Sequence, residues 1–271
     1  MKLSFVIPTY NRKGSILRTI DSILSQSEIP SSYEIIIVDD VSTDGTVELL
    51  FNKYKYELSE ERIKIIVNNE NVGVTGSKNA GYELAKGDWV IFLDSDDMLI
   101  ADVLPKMLSE FRLENKSPII FFRCMDQEHN FVGVKFPEKT LLNISSYVKN
   151  TSYGEALTCV NKNIVSDLPY VSKLRGYEGL GCARIILNHG PAVLSMIIAR
   201  LYDTSGNDRL SSIKAFRGRA LLLCYGHSLY FKEFKHYMSL DLKFKYLLKV
   251  VFYFQLGVFN KLASRLKRGI Q

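Results

Sequence analysis

Trp89-Val90-Ile91-Phe92-Leu93-Asp94-Ser95-Asp96-Asp97 is an apolar run that ends in three carboxylates within four residues. A strand buried on both faces of a parallel sheet reads as such a run, and ligands of these sheets bind beyond the C-terminal strand ends. Carboxylates crowded there repel one another and raise each other's pKa values. A divalent cation relieves the repulsion. The stretch therefore points to a metal site at the mouth of an α/β sheet, built to hold something anionic.

Two other stretches share this form. Glu34-Ile35-Ile36-Ile37-Val38-Asp39-Asp40 leads into Ser42-Thr43-Asp44-Gly45-Thr46, a turn and helix start. Leu3-Ser4-Phe5-Val6-Ile7 runs into Pro8-Thr9-Tyr10-Asn11-Arg12. Strands expected at 3–7, 34–38, 63–67 and 88–93 alternate with helices at about 14–25, 46–55 and 75–86. Repeated β-α-β units imply right-handed crossovers and a mainly parallel sheet flanked by helices. A helix near 101–115 and a strand at 118–123 follow. The middle is less regular, with strands expected at 131–136, 156–160 and 193–203 and a helix at 178–189. From 208 the pattern turns helical, with a long stretch at 241–266. A boundary at Thr204-Ser205-Gly206-Asn207 gives a catalytic domain at 1–205 and a helical, basic region at 206–271.

At 271 residues, 46% hydrophobic and 24% charged, the chain can form one large α/β domain with an appendage. Its N-terminus reads as a strand from Lys2 to Ile7, so no signal peptide is expected. Cys124, Cys159, Cys182 and Cys224 lack any CxxC spacing and read as reduced thiols of a cytosolic protein, not as a zinc site. Residues 241–271 hold seven basic residues and one acid, and the rest holds 28 of each sign. A neutral body with a basic, aromatic end argues against nucleic acid as a partner. The charge-free run 250–260 is shorter than the ~20 residues a bilayer span needs. Its basic and aromatic surroundings fit an interfacial helix on an anionic membrane surface; packing on the catalytic domain or in a homodimer is the alternative.

Four segments carry a family resemblance. They are Val6-Ile7-Pro8-Thr9-Tyr10-Asn11-Arg12; Ile37-Val38-Asp39-Asp40-Val41-Ser42-Thr43-Asp44-Gly45-Thr46; Asn71-Val72-Gly73 with Lys78-Asn79-Ala80-Gly81; and Phe92-Leu93-Asp94-Ser95-Asp96-Asp97. In this order and spacing the first 125 residues or so resemble the family 2 inverting glycosyltransferases, which have the GT-A fold. The second half resembles, less specifically, bacterial enzymes that build O-antigen or capsule repeat units. The resemblance implies a nucleotide-sugar-binding half at 1–125 and an acceptor half at 126–205. It implies that Thr9, Tyr10, Arg12 and Asp39 contact the nucleoside of the donor. Tyr10 would stack on a uracil ring and Asp39 would accept its N3 hydrogen. Each has a plainer reading, a packed Tyr10 and a turn-capping Asp39 or Asp40. Lys78 would lie beside the nucleotide, although as a lone residue it reads as a solvated helix lysine. Asp94 and Asp96, with Ser95 between them, fall on the metal motif, where Asp96 would coordinate Mn²⁺ or Mg²⁺ and Asp94 would reach the ribose or a water of the ion.

An inverting transfer also needs a base for the acceptor hydroxyl, for which a carboxylate serves. The family places it on the helix after the middle strands, which here selects Glu178 in Arg175-Gly176-Tyr177-Glu178-Gly179-Leu180-Gly181. Many relatives have Glu-Asp there and this chain has Glu-Gly. A helix-starting acid is the plainer reading, and Asp126 and Asp203 are rival bases. Arg209 resembles a basic residue that faces the diphosphate, with an ordinary place at a helix start as the alternative. Together these imply a metal-dependent enzyme moving a hexose from a UDP-sugar to a hydroxyl of a polyprenyl-diphosphate-linked saccharide. It would form a β-linkage and act at the inner face of the cell membrane. The competing classes are a sugar nucleotidyltransferase, which would want a glycine-rich basic loop after the first strand, and a non-catalytic scaffold on the same fold.

Overall fold

The computed structural model describes the chain except for residues 28–29, 31, 134–137, 150–154, 205–212 and 269–271. Its first part runs β1 (Leu3–Thr9), α1 (Ile16–Leu24), β2 (Tyr33–Asp39), α2 (Thr46–Lys53), α3 (Lys55–Ser59), β3 (Ile63–Val67), α4 (Val74–Leu84) and β4 (Trp89–Phe92). Then come β5 (Met98–Leu99), α5 (Leu104–Leu113), β6 (Ile119–Met125), β7 (Phe131–Val132), β8 (Thr140–Leu142), α6 (Ile144–Lys149), β9 (Ala156–Asn161), α7 (Glu178–His189) and β10 (Ala192–Leu201). Helices α8 (Ile213–Gly218), α9 (Ala220–Phe234) and α10 (Leu240–Arg268) close the chain.

One sheet has the order β3-β2-β1-β4-β9-β6-β10-β5, with β7 beside β6 and β8 beside β10. The first four strands are parallel. Strand β9 is antiparallel to both β4 and β6, and β6 is parallel to β10. The C-terminal ends of β1, β2, β3, β4, β6 and β10 therefore share one edge, and the site forms along it. The strands are apolar throughout because both faces are covered. Phe5, Ile7, Ile35, Ile37 and Ile91 enter the core under α1, α2 and α5, while Val6, Ile36, Val38, Val90 and Phe92 enter the core with α4 and α7. Each such side chain stabilises the fold by about 1.5–3 kcal/mol on burial.

Two sequence expectations change and a third is not tested. The helix expected at 46–55 breaks at Tyr54, which is buried and donates its hydroxyl to Asp21 at 2.8 Å; α3 follows as a separate turn. The strand expected at 131–136 is a two-residue strand as far as it is described, since 134–137 lie outside the described residues. The boundary expected near 205 also lies outside them; the last strand ends at Leu201 and the next described helix begins at Ile213.

Helices α9 and α10 form an antiparallel pair. A Cβ on Gly257 would lie 2.4 Å from Leu221 Cδ2, so glycine permits the close crossing. One face of α10 buries Leu242 and Tyr246 in a third core with Leu180, Ala183, Tyr230 and Phe234. The other exposes Phe244, Leu248, Phe252 and Phe259. Among the described residues no helix is long and apolar enough to cross a membrane.

Candidate active site

The shared strand edge opens into a cavity of about 1040 Å³. Thr9, Tyr10, Arg12, Lys78, Asp94, Ser95, Asp96 and Glu178 all line it. These residues come from the ends of β1 and β4, from α4 and from the first residue of α7. Arg209 lies outside the described residues.

The loops after β1 and β2 are tied together. Asn11 takes a left-handed conformation (φ +51°) and its side chain accepts the Thr43 N–H at 2.8 Å. The backbone N–H of Arg12 donates to Thr46 Oγ1 at 3.1 Å. This binding holds Tyr10, half-exposed, over the cavity mouth. Thr9 is buried, and its hydroxyl has no hydrogen-bond partner among the described residues. Asp39 is buried too, and its carboxylate accepts the N–H and the hydroxyl of Ser42. It closes the turn, and Asp40 is the acid of the pair that lines the cavity. Asp40 accepts the N–H groups of Val72 and Gly73, both at 2.8 Å, and so fixes the loop that enters α4.

That loop aims Lys78. Its ammonium lies 2.9 Å from Asp94 Oδ1 and 3.4 Å from Glu178 Oε1, and its side chain is buried. Burial works against its charge, but Asp94 and Glu178 outweigh that and raise its pKa. Lys78 is thus a fixed cation between the metal-motif acid and the candidate base. Asn79 has another task. It donates to the Tyr170 carbonyl at 2.7 Å and accepts the Tyr170 N–H at 3.0 Å, which pins the 170 segment against α4.

The acids after β4 divide by their partners. Asp94 is pushed up by burial but held below the usual carboxylate range by Lys78 and Arg200. Asp96 is raised by burial and by Asp94, with Arg12 pulling the other way from 3.6 Å. Burial lifts Asp97 to about 7, with Asp94 adding to the shift and Arg200 opposing it. Asp97 is fully buried 3.2 Å from Arg200 and accepts the Asp203 N–H at 2.9 Å, so it is a structural acid. Asp96 keeps its carboxylate 37% exposed. Among the described residues no group of three or more His, Cys, Asp or Glu side chains could cage a metal. Two hard oxygen ligands facing a cavity do fit Mg²⁺ or Mn²⁺, which complete their coordination from water and substrate phosphates.

Arg200 is a site residue that sequence reading missed. It sits one residue from the end of β10, 3% exposed, and touches Asp94 (3.7 Å), Asp97 (3.2 Å) and Glu155 (3.1 Å). Its signal was an arginine inside the apolar run Val193 to Leu201. Of the rival bases, Asp203 is buried against Arg18. Asp126 accepts the backbone N–H groups of Glu128 and Asn130 in an exposed turn.

The sheet and its acid-lined edge define a GT-A fold. The model of "Glycosyl transferase family 2" matches residues 4–158, more than half of the chain, and the chain belongs to that family. It is 36% identical over 154 residues to a putative teichuronic acid biosynthesis glycosyltransferase, TuaG, of Bacillus subtilis, covering 56% of this chain and 59% of that one. It is 32% identical over 177 residues to WfaP of Escherichia coli, a UDP-Glc:α-D-GlcNAc-diphosphoundecaprenol β-1,3-glucosyltransferase, covering 63% and 66%. The chain thus spans less than two thirds of either relative. Among solved structures, S. aureus TarS 1-349 in complex with UDP-GlcNAc superposes with a TM-score of 0.66 at 18% identity, over 94% of this chain and 81% of that one. A mannosyltransferase, PcManGT of Pyrobaculum calidifontis, in complex with GDP-Man and Mn²⁺, gives 0.65 at 16% identity, over 99% and 79%. At such identities the likeness is one of fold.

Proposed function

We propose that the chain is an inverting glycosyltransferase that moves a hexose from a UDP-sugar to a hydroxyl of a polyprenyl-diphosphate-linked saccharide in bacterial surface polysaccharide synthesis. The observation that carries this reading is the Asp94–Lys78–Glu178 contact chain inside one cavity. It puts a candidate base within reach of an acid-and-cation pair suited to a diphosphate. The names of the bacterial relatives support the acceptor class.

In this reading Thr9, Tyr10 and Arg12 bind the nucleoside end of the donor, and Asp94 and Asp96 would hold Mn²⁺ or Mg²⁺. The ion would offset the charge of the departing diphosphate. Glu178 takes the proton of the acceptor hydroxyl as its oxygen bonds to the anomeric carbon. The bond from that carbon to the diphosphate breaks on the opposite face, UDP departs, and an α-linked donor gives a β-linked product. Lys78 stays protonated and orients Glu178. The exposed apolar residues of α10, among Lys243, Lys245, Lys249 and Lys261, support attachment to an anionic membrane surface.

A panel of UDP-, GDP- and CDP-sugars, read by thermal shift with Mn²⁺ or chelator, tests the donor and the metal together. Stabilisation by a UDP-sugar that chelator and Asp96→Asn both abolish is the expected result. Folded protein that responds to none of them, with metal present, would overturn the reading.

A further inference from the structure

The cavity has a second wall that the proposed donor residues do not include. It comes from the loop before α7 and from the C-terminal helices, and includes Arg175, Tyr177, Arg219, His227, Tyr246 and Lys249. The acids that line the cavity come from strand ends, from loops and from the start of α7, and α8, α9 and α10 contribute none among the described residues. This wall is therefore cationic, and its other lining groups are aromatic or neutral. His227 donates no charge. It is buried, it shares a hydrogen bond of 2.7 Å with the Tyr177 hydroxyl, and burial followed by the nearby Lys249 lowers its pKa to about 4.

Two of these cations, Arg219 and Arg175, are close neighbours. Arg219 donates to the Arg175 carbonyl at 2.6 Å. Burial lowers the pKa of Arg219, Glu178 pulls it back up, and Arg175 lowers it further. Lys249 stands 5.2 Å over the Tyr246 ring, its pKa lowered by burial and by Lys245. Cations held among aromatic rings and one another gain from an anion between them. The uridine diphosphate end of the donor is matched elsewhere, by the β1 loop and the Asp94–Asp96 edge.

We propose that this wall is the acceptor subsite, and that Arg219 and Lys249 hold the phosphate or diphosphate joining the acceptor saccharide to its lipid. The proposal rests on the glycosyl-transfer reading and adds where the acceptor's charge is bound. From Lys249 the exposed apolar face of α10 runs on through Phe252 and Phe259, 58% and 68% exposed, as a surface for the lipid chain itself.

Farnesyl diphosphate and farnesol are suitable probes, titrated into the full chain presaturated with UDP and Mn²⁺. Farnesyl diphosphate binds alongside UDP and tighter than farnesol. Lys249→Gln and Arg219→Gln each weaken it by about tenfold and leave UDP affinity unchanged. Because Lys249 keeps much of its side chain in solvent while part lies against the wall, Lys249→Gln and Lys249→Glu keep the fold, and the charge reversal weakens binding further. Competition between farnesyl diphosphate and UDP, equal binding of farnesol, no binding at all, or indifference to both substitutions each overturns the subsite. Loss of UDP binding by the wild type would instead sink the glycosyl-transfer reading, so the two failures are distinguishable.

Discussion

The two walls of the cavity solve opposite electrostatic problems. The strand-end wall gathers Asp40, Asp94, Asp96, Glu155 and Asp203 around Arg12, Lys78 and Arg200. The helical wall carries Arg175, Arg219 and Lys249 among aromatic rings. An anionic ligand on the first needs a cation brought with it, whereas on the second the protein supplies the positive charge. Glu178 stands where they meet, 3.4 Å from Lys78 and close enough to Arg219 to oppose the lowering of its pKa by burial. In the proposed reading, a donor diphosphate and an acceptor phosphate are told apart by the sign of the wall each one meets.

The sharpest way to break this comparison is at the junction. Glu178→Gln keeps the shape and removes the proposed base. Expected is a fall in kcat of about a thousandfold, with binding of UDP and of the thermal unfolding midpoint little changed. A fall confined to KM would make Glu178 a binding residue. Arg200 tests the strand-end wall alone. Arg200→Met leaves the buried Asp97 without its ion-pair partner and Asp94 with Lys78 as its ion-pair partner, at about 3–5 kcal/mol of stability by urea unfolding. Adding Asp97→Asn recovers much of that loss if the ion pair is the cause, and none if the packing of Met is.

The two walls also differ in how far the sequence discloses them. The strand-end wall is readable because a sheet buried on both faces forces unbroken apolar runs, so polar residues immediately after a run are marked out as edge residues. The runs mark the segments after β1 and β4 as edge segments, the family resemblance singles out Thr9, Tyr10, Arg12, Asp94, Ser95 and Asp96 within them, and the cavity brings these together. Asp39 and Asp40 follow the same run, yet which one faces the cavity depends on the turn that Ser42 closes, a tertiary detail with no local pattern. Arg200 hides inside a run that reads as core. The helical wall is less legible still, because Arg219, His227 and Lys249 occur in amphipathic helices where such residues look like surface. The crossing of α9 with α10 brings them to the cavity that Glu178 also lines. Short elements such as β5, β8 and α6 exist through pairing and packing, below the length at which periodicity speaks.

His227 offers a pH test of the helical wall. In the unfolded chain it takes a proton below about 6.5, and in the fold only below about 4. Its contribution to stability is complete above pH 6.5, is lost as the pH falls, and levels off below 4. The loss is about 3 kcal/mol for a shift of this size. His227→Gln removes that slope, so the difference between variant and wild-type urea midpoints should shrink from pH 7.5 to pH 4.5. A constant difference would mean that water reaches the ring and that the wall is more open than its burial implies.

The smallest effect tests where the walls are joined. Gly73 has φ +80°, a conformation that side chains rarely adopt, and its N–H is held by Asp40 of the strand-end wall. A Cβ there would lie 2.4 Å from Cγ of Arg175, a cation of the helical wall. Gly73→Ala therefore strains the backbone and pushes Arg175 aside, at about 1–3 kcal/mol. The informative readout is kinetic. If the two walls serve two substrates and touch here, the variant raises KM for donor and acceptor together while leaving the chemical step near its wild-type rate. A change in donor KM alone would place Arg175 with the donor loop it packs against, and the acceptor wall would then reduce to Arg219 and Lys249.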